Sequence, residues 1–315
     1  METIYLDKVS GALPPCVATI GFFDGVHRGH QYLIRQMADE ARARGLRSVV
    51  ITFDRHPRQV LQSEWQPRLL STLASKLLLL SKTRVDATVV VPFTKALARL
   101  SARAFMQKVL RDRLGVRALV IGYDNRFGHN RKEGFDDYVR YGEELGISVQ
   151  HAKPLVIDGV NVSSSVIREY VREGNIGMAN LCLGYPYTIV GKVVPGVQEG
   201  RRLGFPTANL DISAFGQLVP ADGVYAIGAR LDRSVTVRPG MMNVGTRPTF
   251  EGHERTLEAH IFQFKDDIYG SLLLVSFYER VRGERKFDSP EALREQLLLD
   301  KAQIEKLFEN YKENE

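Results

Sequence analysis

For about 183 residues the chain alternates short apolar runs with stretches of helical periodicity, and after Pro186 it stops doing so. Cys16-Val17-Ala18-Thr19-Ile20, Val49-Val50-Ile51-Thr52-Phe53, Thr88-Val89-Val90-Val91 and Ala118-Leu119-Val120-Ile121 read as short buried strands. Between them, residues 31–44, 72–83 and 101–114 read as helices; in the first, Tyr32, Leu33, Met37 and Ala41 recur at helical spacing. Buried strands joined through helices run parallel, which predicts a doubly wound α/β sheet. Ligands of such sheets sit at the carboxyl ends of the strands. Three segments lie there: residues 21–30, 54–57 and 122–128.

Beyond Pro186 only strand candidates occur, at 190–194, 223–227, 241–244, 257–261 and 272–278, separated by Gly, Pro and Asp turns. Their spacing predicts an antiparallel β-barrel. Residues 289–311 read as a closing helix, with Ser289 as N-cap, Pro290 at the first position and Leu293, Leu297, Ile304 and Leu307 as its apolar stripe. A chain of 315 residues can bury two cores. The expected division is residues 1–183 and residues 184–315, an α/β domain followed by a β domain.

Composition narrows the partners. The 43 basic and 37 acidic residues leave a formal charge of +6, which suits anionic ligands. The arginines are scattered and not interleaved with stacking aromatics, which argues against nucleic acid. No apolar run approaches a membrane span, and residues 1–10 lack the basic and apolar regions of a signal peptide. Cys16 and Cys182 stand far apart, with neither metal-type spacing nor a disulfide framework. A cytoplasmic protein without a membrane partner is expected; oligomeric state is not legible.

Gly21-Phe22-Phe23-Asp24-Gly25-Val26-His27-Arg28-Gly29-His30 carries the strongest chemical signal. A strand, a glycine-containing turn and a helix opening bring amide groups and the positive end of a dipole to one point, where anions bind. Two histidines three apart reach the same phosphate from one side of the helix, and Gly29 leaves no side chain in a ligand's way. Val162-Ser163-Ser164-Ser165-Val166-Ile167-Arg168 adds three hydroxyls and a guanidinium at a second helix start, a second anion pocket. In the later part, Gly196, Gly200 and Gly204 precede Pro206-Thr207-Ala208-Asn209. Glycines admit a phosphate to the backbone, and a hydroxyl beside an amide oxygen suits Mg²⁺.

The decapeptide resembles the signature of the nucleotidyltransferase superfamily, which transfers a nucleoside monophosphate and releases pyrophosphate. Together with Thr52-Phe53-Asp54-Arg55-His56-Pro57, the 122–128 loop and Ser163-Ser164-Ser165-Val166-Ile167-Arg168, it resembles in order the N-terminal module of bacterial bifunctional riboflavin kinase/FAD synthetases. The segments 196–209, 243–250, Leu257-Glu258-Ala259-His260, 267–270 and 282–287 resemble the riboflavin kinase module. The resemblance implies a parallel sheet of nucleotidyltransferase type followed by the barrel, riboflavin, FMN and ATP as substrates, and Mg²⁺ as cofactor. It implies catalytic roles for His27 and His30 in adenylyl transfer, and for Glu258 as base toward the ribityl 5′-hydroxyl.

By the same resemblance, Gly21, Phe22, Asp24, Gly29, Asp124, Ser164, Ser165 and Arg168 bind one ATP, and Gly204 and Thr207 the other. Phe53, His56, Pro57, Arg282 and Glu284 contact flavin, and Thr207 and Asn209 hold the metal. Three positions depart from the family: Arg55 for Pro, Asn125 for Phe and Gln263 for Asp. Two other readings stay open. One is adenylylation of a different phosphorylated alcohol with the barrel as a lid, against which Glu258 and the Pro-Thr-Ala-Asn argue. The other is a flavin- or RNA-binding module without catalysis, against which the presence of every expected catalytic residue argues.

Overall fold

The structure, a computed structural model, describes residues 1–61, 68–123, 125–129, 132–196, 199–232, 234–249 and 252–313. They form two compact units, Met1–Ser164 and Ser165–Glu315.

In the first unit β1 (Glu2–Tyr5), β2 (Cys16–Ile20), β3 (Arg47–Phe53), β4 (Ala87–Val91), β5 (Val116–Ile121) and β6 (Ser148–His151) make one sheet in the order β1-β4-β3-β2-β5-β6. Every pairing in it is parallel, as the alternation of strand and helix requires. The helices are α1 (Arg28–Arg44), α2 (Pro57–Leu61), α3 (Leu73–Ser81), α4 (Lys95–Ala98), α5 (Ala102–Phe105) and α6 (Phe135–Leu145). One sheet face, with Ala18, Ile20, Val49 and Ile51, packs on Phe105, Met106 and Leu110 and on Tyr138 of α6. The other, with Val17, Val50, Ala118 and Val120, packs on Leu33, Ile34 and Met37 of α1 and Leu80 of α3. Both faces are covered, so the central strands β2 to β5 read as near-continuous apolar runs with scattered polar residues.

Two strands at the sheet edges, β1 and β6, were not among the apolar runs of the sequence. The single helix expected over 101–114 is instead the short α5 followed by a wider π-turn at Met106–Arg111. A small hairpin, β7 (Val156–Ile157) and β8 (Val160–Asn161), ends the unit.

The second unit begins in α7 (Ser164–Glu173) and α8 (Ile176–Leu183). Then follow β9 (Tyr187–Val194), α9 (Glu199–Arg202), β10 (Ala208–Asp211), β11 (Gly223–Leu231), β12 (Arg238–Thr249), β13 (Gly252–Ile261), β14 (Leu272–Arg282) and α10 (Pro290–Glu313). The six strands close into a barrel in the order β10-β13-β12-β11-β14-β9, every pairing antiparallel. β10, which carries Asn209, is the strand that the sequence did not reveal. Asn180 of α8 pins the helix to the barrel, its amide donating to the Phe277 carbonyl (2.9 Å) and accepting the Tyr187 N–H (2.7 Å). α10 is capped by Ser289, whose hydroxyl accepts the Ala292 N–H. Its Leu297, Ile304, Leu307 and Phe308 cover Val224, Ala226 and Met241 on the outside of the barrel.

Candidate active sites

In the first unit the order of strands reverses between β2 and β5, and the crevice beyond their carboxyl ends is where such sheets bind ligands. The turn that leaves β2 there is strained. Phe23 and Val26 hold φ at 55° and 38°, in a region that side-chain-bearing residues rarely enter. Polar bonds over-determine it. The buried Asp24 carboxylate accepts the backbone N–H of Leu70 and Ser71 at 3.0–3.1 Å, Gly25 N donates to the Ser71 hydroxyl (3.0 Å), and the Gln31 amide donates to the Val26 carbonyl (2.9 Å).

α1 opens directly from this turn. His27 is its N-cap, and Nδ1 of the ring accepts the His30 N–H (3.3 Å), a task usually done by Ser, Thr, Asp or Asn. An Nδ1 that accepts leaves the proton of the neutral ring on Nε2. The two imidazoles stack with centroids 3.6 Å apart. No acidic residue stands in the first helical turn, so the positive end of the dipole keeps its field for an anion. A Cβ on Gly29 would lie 3.0 Å from the Val162 carbonyl and 3.1 Å from His27 Nδ1. A side chain there would crowd the Val162 carbonyl and the His27 ring, where the sequence suggested only room for a ligand.

Two cross-links join this turn to the neighbouring strand ends. Lys76 of α3 is almost wholly buried, and its Nζ donates to the Phe22 carbonyl (3.0 Å), the Phe53 carbonyl (3.0 Å) and the Thr52 hydroxyl (3.1 Å). It also sits 4.1 Å from the centroid of the Phe22 ring. Burial pushes its ammonium down to about 8, with Asp24 and Asp54 opposing the shift. On the other side, the Asn125 amide donates to the Ile20 carbonyl (2.5 Å), so this departure from the family ties the 122–128 loop to β2. Sequence reasoning missed Lys76. Its only mark is a lone charge four residues before Leu80 on the buried stripe of an apolar helix.

The structure brings several expected site residues together. Phe22 and His56 meet edge to face at 4.8 Å, joining the turn after β2 to the segment that holds Phe53 and Pro57. The Ser164 hydroxyl donates to the Asp24 carbonyl (3.0 Å). Ser165 and Arg168 follow in the first turns of α7. Asp124 lies outside the described residues.

In the second unit the carboxylate of Glu258 on β13 faces Asn209 of β10 across the ladder, and the Thr207 hydroxyl stands 3.4 Å from its Oε2. Gly196 lies against the Asn209 amide, which a Cβ at that position would displace. Gly204 turns the chain at φ 85° just before. A cavity of about 330 Å³ opens beside Thr207, lined also by Val193, Ala259, Ile261, Phe264, Lys265 and Tyr269. His260 accompanies Glu258 on β13; burial pushes its imidazole below the usual range, a hydrogen bond with the Pro206 carbonyl opposes this, and Lys301 adds to it. Arg282 grips the buried Asp300 of α10 in a fork (2.8–3.1 Å), a partner the sequence did not suggest. Glu284 rests on Gly245, where a Cβ would lie 2.5 Å from its carboxylate. Gln263, at the turn after β13, holds φ at 53°.

Residues 10–166 match the family model for FAD synthetase, and residues 183–308 match that for riboflavin kinase. The chain is 35% identical over 293 residues to the bifunctional riboflavin kinase/FMN adenylyltransferase of Escherichia coli (strain K12), across 93% of each chain. It is 33% identical over 300 residues to that of Bacillus subtilis (strain 168), again across 93% of each. A crystal structure described as a macrolide-efflux protein from Streptococcus pneumoniae superposes with a TM-score of 0.84 at 31% identity, covering 96% of this chain and 98% of that one. Among the described residues here, no helix is long and apolar enough to cross a membrane. With both modules matched in order and relatives aligned along nearly their whole length, the chain belongs to the bifunctional riboflavin kinase/FMN adenylyltransferase family.

Proposed function

We propose that the two steps of this bifunctional enzyme divide at about Leu183, with FMN adenylylation before it and riboflavin phosphorylation after it. The observation that carries the reading is the grouping of Thr207, Asn209 and Glu258 on two paired strands, separate in sequence from the stacked His27 and His30.

In the kinase step the ribityl 5′-hydroxyl oxygen attacks the γ-phosphorus of ATP, the bond to ADP breaks, and Glu258 takes the hydroxyl proton. The nucleotide occupies the cavity beside Thr207, where Lys265 supplies charge and Phe264 and Tyr269 supply aromatic surface. Thr207 and Asn209 present hard oxygen atoms beside Glu258, a small set that fits Mg²⁺, which takes most of its ligands from phosphate and water. When bound, Mg²⁺ neutralises charge on the phosphate oxygens. Arg282 and Glu284 stand at the flavin side, the former fixed by Asp300.

In the second step an FMN phosphate oxygen attacks the α-phosphorus of ATP in line and pyrophosphate leaves, so the protein's task is positioning and charge stabilisation. His27 donates through Nε2, His30 stacks beside it, and Gly21, Phe22, Gly29 and Ser164 surround the nucleotide. Asp24 supports the turn through Leu70 and Ser71. Phe53, His56 and Pro57 meet the flavin. We place the enzyme in the cytoplasm, where Cys16 and Cys182, both buried and outside any disulfide, suit a reducing medium.

The test is incubation with riboflavin, ATP and Mg²⁺, with FMN and FAD separated by chromatography. Glu258→Gln keeps shape and removes basicity, so FMN formation is expected to fall about 10²–10⁴-fold, while supplied FMN is still adenylylated. A variant that makes FMN within a few-fold of the parent would remove Glu258 from the mechanism.

A further inference from the structure

Glu258 and His260 are alternate residues of β13, and the residues between and beside them, Leu257, Ala259 and Ile261, are buried. The two polar side chains therefore leave the strand on one face. β10 pairs with β13 only at Ala208↔Ala259 and Asn209↔Glu258. Continued by one residue, the ladder would set Thr207 opposite His260, but it has ended. At that point Nδ1 of His260 lies 2.7 Å from the carbonyl oxygen of Pro206. A carbonyl only accepts, so Nδ1 carries the proton and donates.

The bond falls on a sensitive atom. Pro206 has no N–H, and its carbonyl shares one rigid peptide plane with the N–H of Thr207. A grip on that oxygen orients the plane from which Thr207 hangs. Phe205 holds the imidazole in place, its ring edge-on at a centroid distance of 5.2 Å, with Phe262, just past the end of β13, at 5.6 Å. One strand thus fixes both the carboxylate and, through His260, the hydroxyl 3.4 Å from it.

We propose that His260 is a positioning residue of the kinase site: its Nδ1–H replaces the missing rung of the ladder and sets Thr207 against Glu258. This rests on the assignment of Thr207 and Glu258 to phosphoryl transfer. Because Thr207 serves the nucleotide side, the role predicts an effect on ATP and turnover, with the KM for riboflavin nearly unchanged.

Two variants of the full-length enzyme separate this role from simple packing. His260→Ala loses the donor; His260→Asn can present an amide N–H near the place of Nδ1. We expect His260→Ala to lower kcat/KM for ATP in FMN formation by about 10–10²-fold, the scale of a small misplacement in a reacting site. His260→Asn should recover most of that loss, and both should convert supplied FMN to FAD at the parental rate. If His260→Ala stays within about threefold of the parent, or if a folded His260→Asn is as impaired as a tenfold loss, the proposal falls. Should His260→Ala fail to fold, the His260→Asn arm decides by itself. Glu258→Gln, assayed alongside, identifies the level of failure: an active Glu258→Gln overturns the site, whereas an inactive one with indifferent His260 variants overturns only this inference.

Discussion

Lys76 and Phe22 meet where the turn after β2 is tied to the end of β3: the ammonium donates to the Phe22 carbonyl at 3.0 Å and lies 4.1 Å from its ring centroid. The same nitrogen holds the Phe53 carbonyl and the Thr52 hydroxyl, so a single buried cation sets the spacing of the turn after β2 and the end of β3.

That burial has a pH signature. The ammonium titrates at about 8 in the folded chain against 10.5 ordinarily. Between those values the unfolded chain keeps a proton that the folded chain has lost, so folding becomes more favourable as pH rises through the window. The gain amounts to about 3 kcal/mol across it. Urea unfolding followed by far-ultraviolet circular dichroism reads the stability. The stability of the parent relative to Lys76→Met should grow between pH 7.5 and pH 10. Parallel curves for the two proteins would mean that no strained ammonium is buried there.

The stacked histidines give a second outcome. His27→Ala removes both a helix cap and the Nε2 donor, and His30→Ala removes its stacking partner. Each should depress FAD formation by about 10²-fold or more, while FMN still accumulates from riboflavin. Equal loss of both products in a folded protein would break the assignment of the two reactions to two sites.

Packing predicts where the chain can be cut. A fragment beginning at Ser165 keeps α8 with the barrel, whereas one beginning at Tyr185 removes the Asn180 bonds to Phe277 and Tyr187. The longer fragment should melt at the higher temperature and phosphorylate riboflavin without making FAD. Identical melting curves would show that α8 contributes nothing to the barrel.

Gln263 offers a gain. A glutamine at φ 53° carries a left-handed strain that asparagine tolerates better. Gln263→Asn should stabilise the protein by about 0.5–1 kcal/mol, seen as a barrel transition raised by about 1–4 °C. A lowered transition would show that the glutamine side chain makes up for its backbone.

The alternation of apolar runs and helical stretches determined the parallel sheet, because strands buried on both faces are near-continuous apolar runs and declare themselves. The turn chemistry of residues 21–30 and the Pro-Thr-Ala-Asn likewise marked both candidate sites, since phosphate binding needs particular residues close together in sequence. β10 stayed hidden: only Leu210 of its four residues is buried, and it is a strand because the barrel must close between β9 and β13. Lys76, Asp300 and His260 also stayed hidden as site-builders. Lys76 lies 54 residues from Phe22, Asp300 18 from Arg282 and His260 54 from Pro206. A hydrogen bond across such separations leaves no local periodicity. Which side chain holds which backbone carbonyl is decided only when the chain has folded, by the requirement that a buried polar group find a partner.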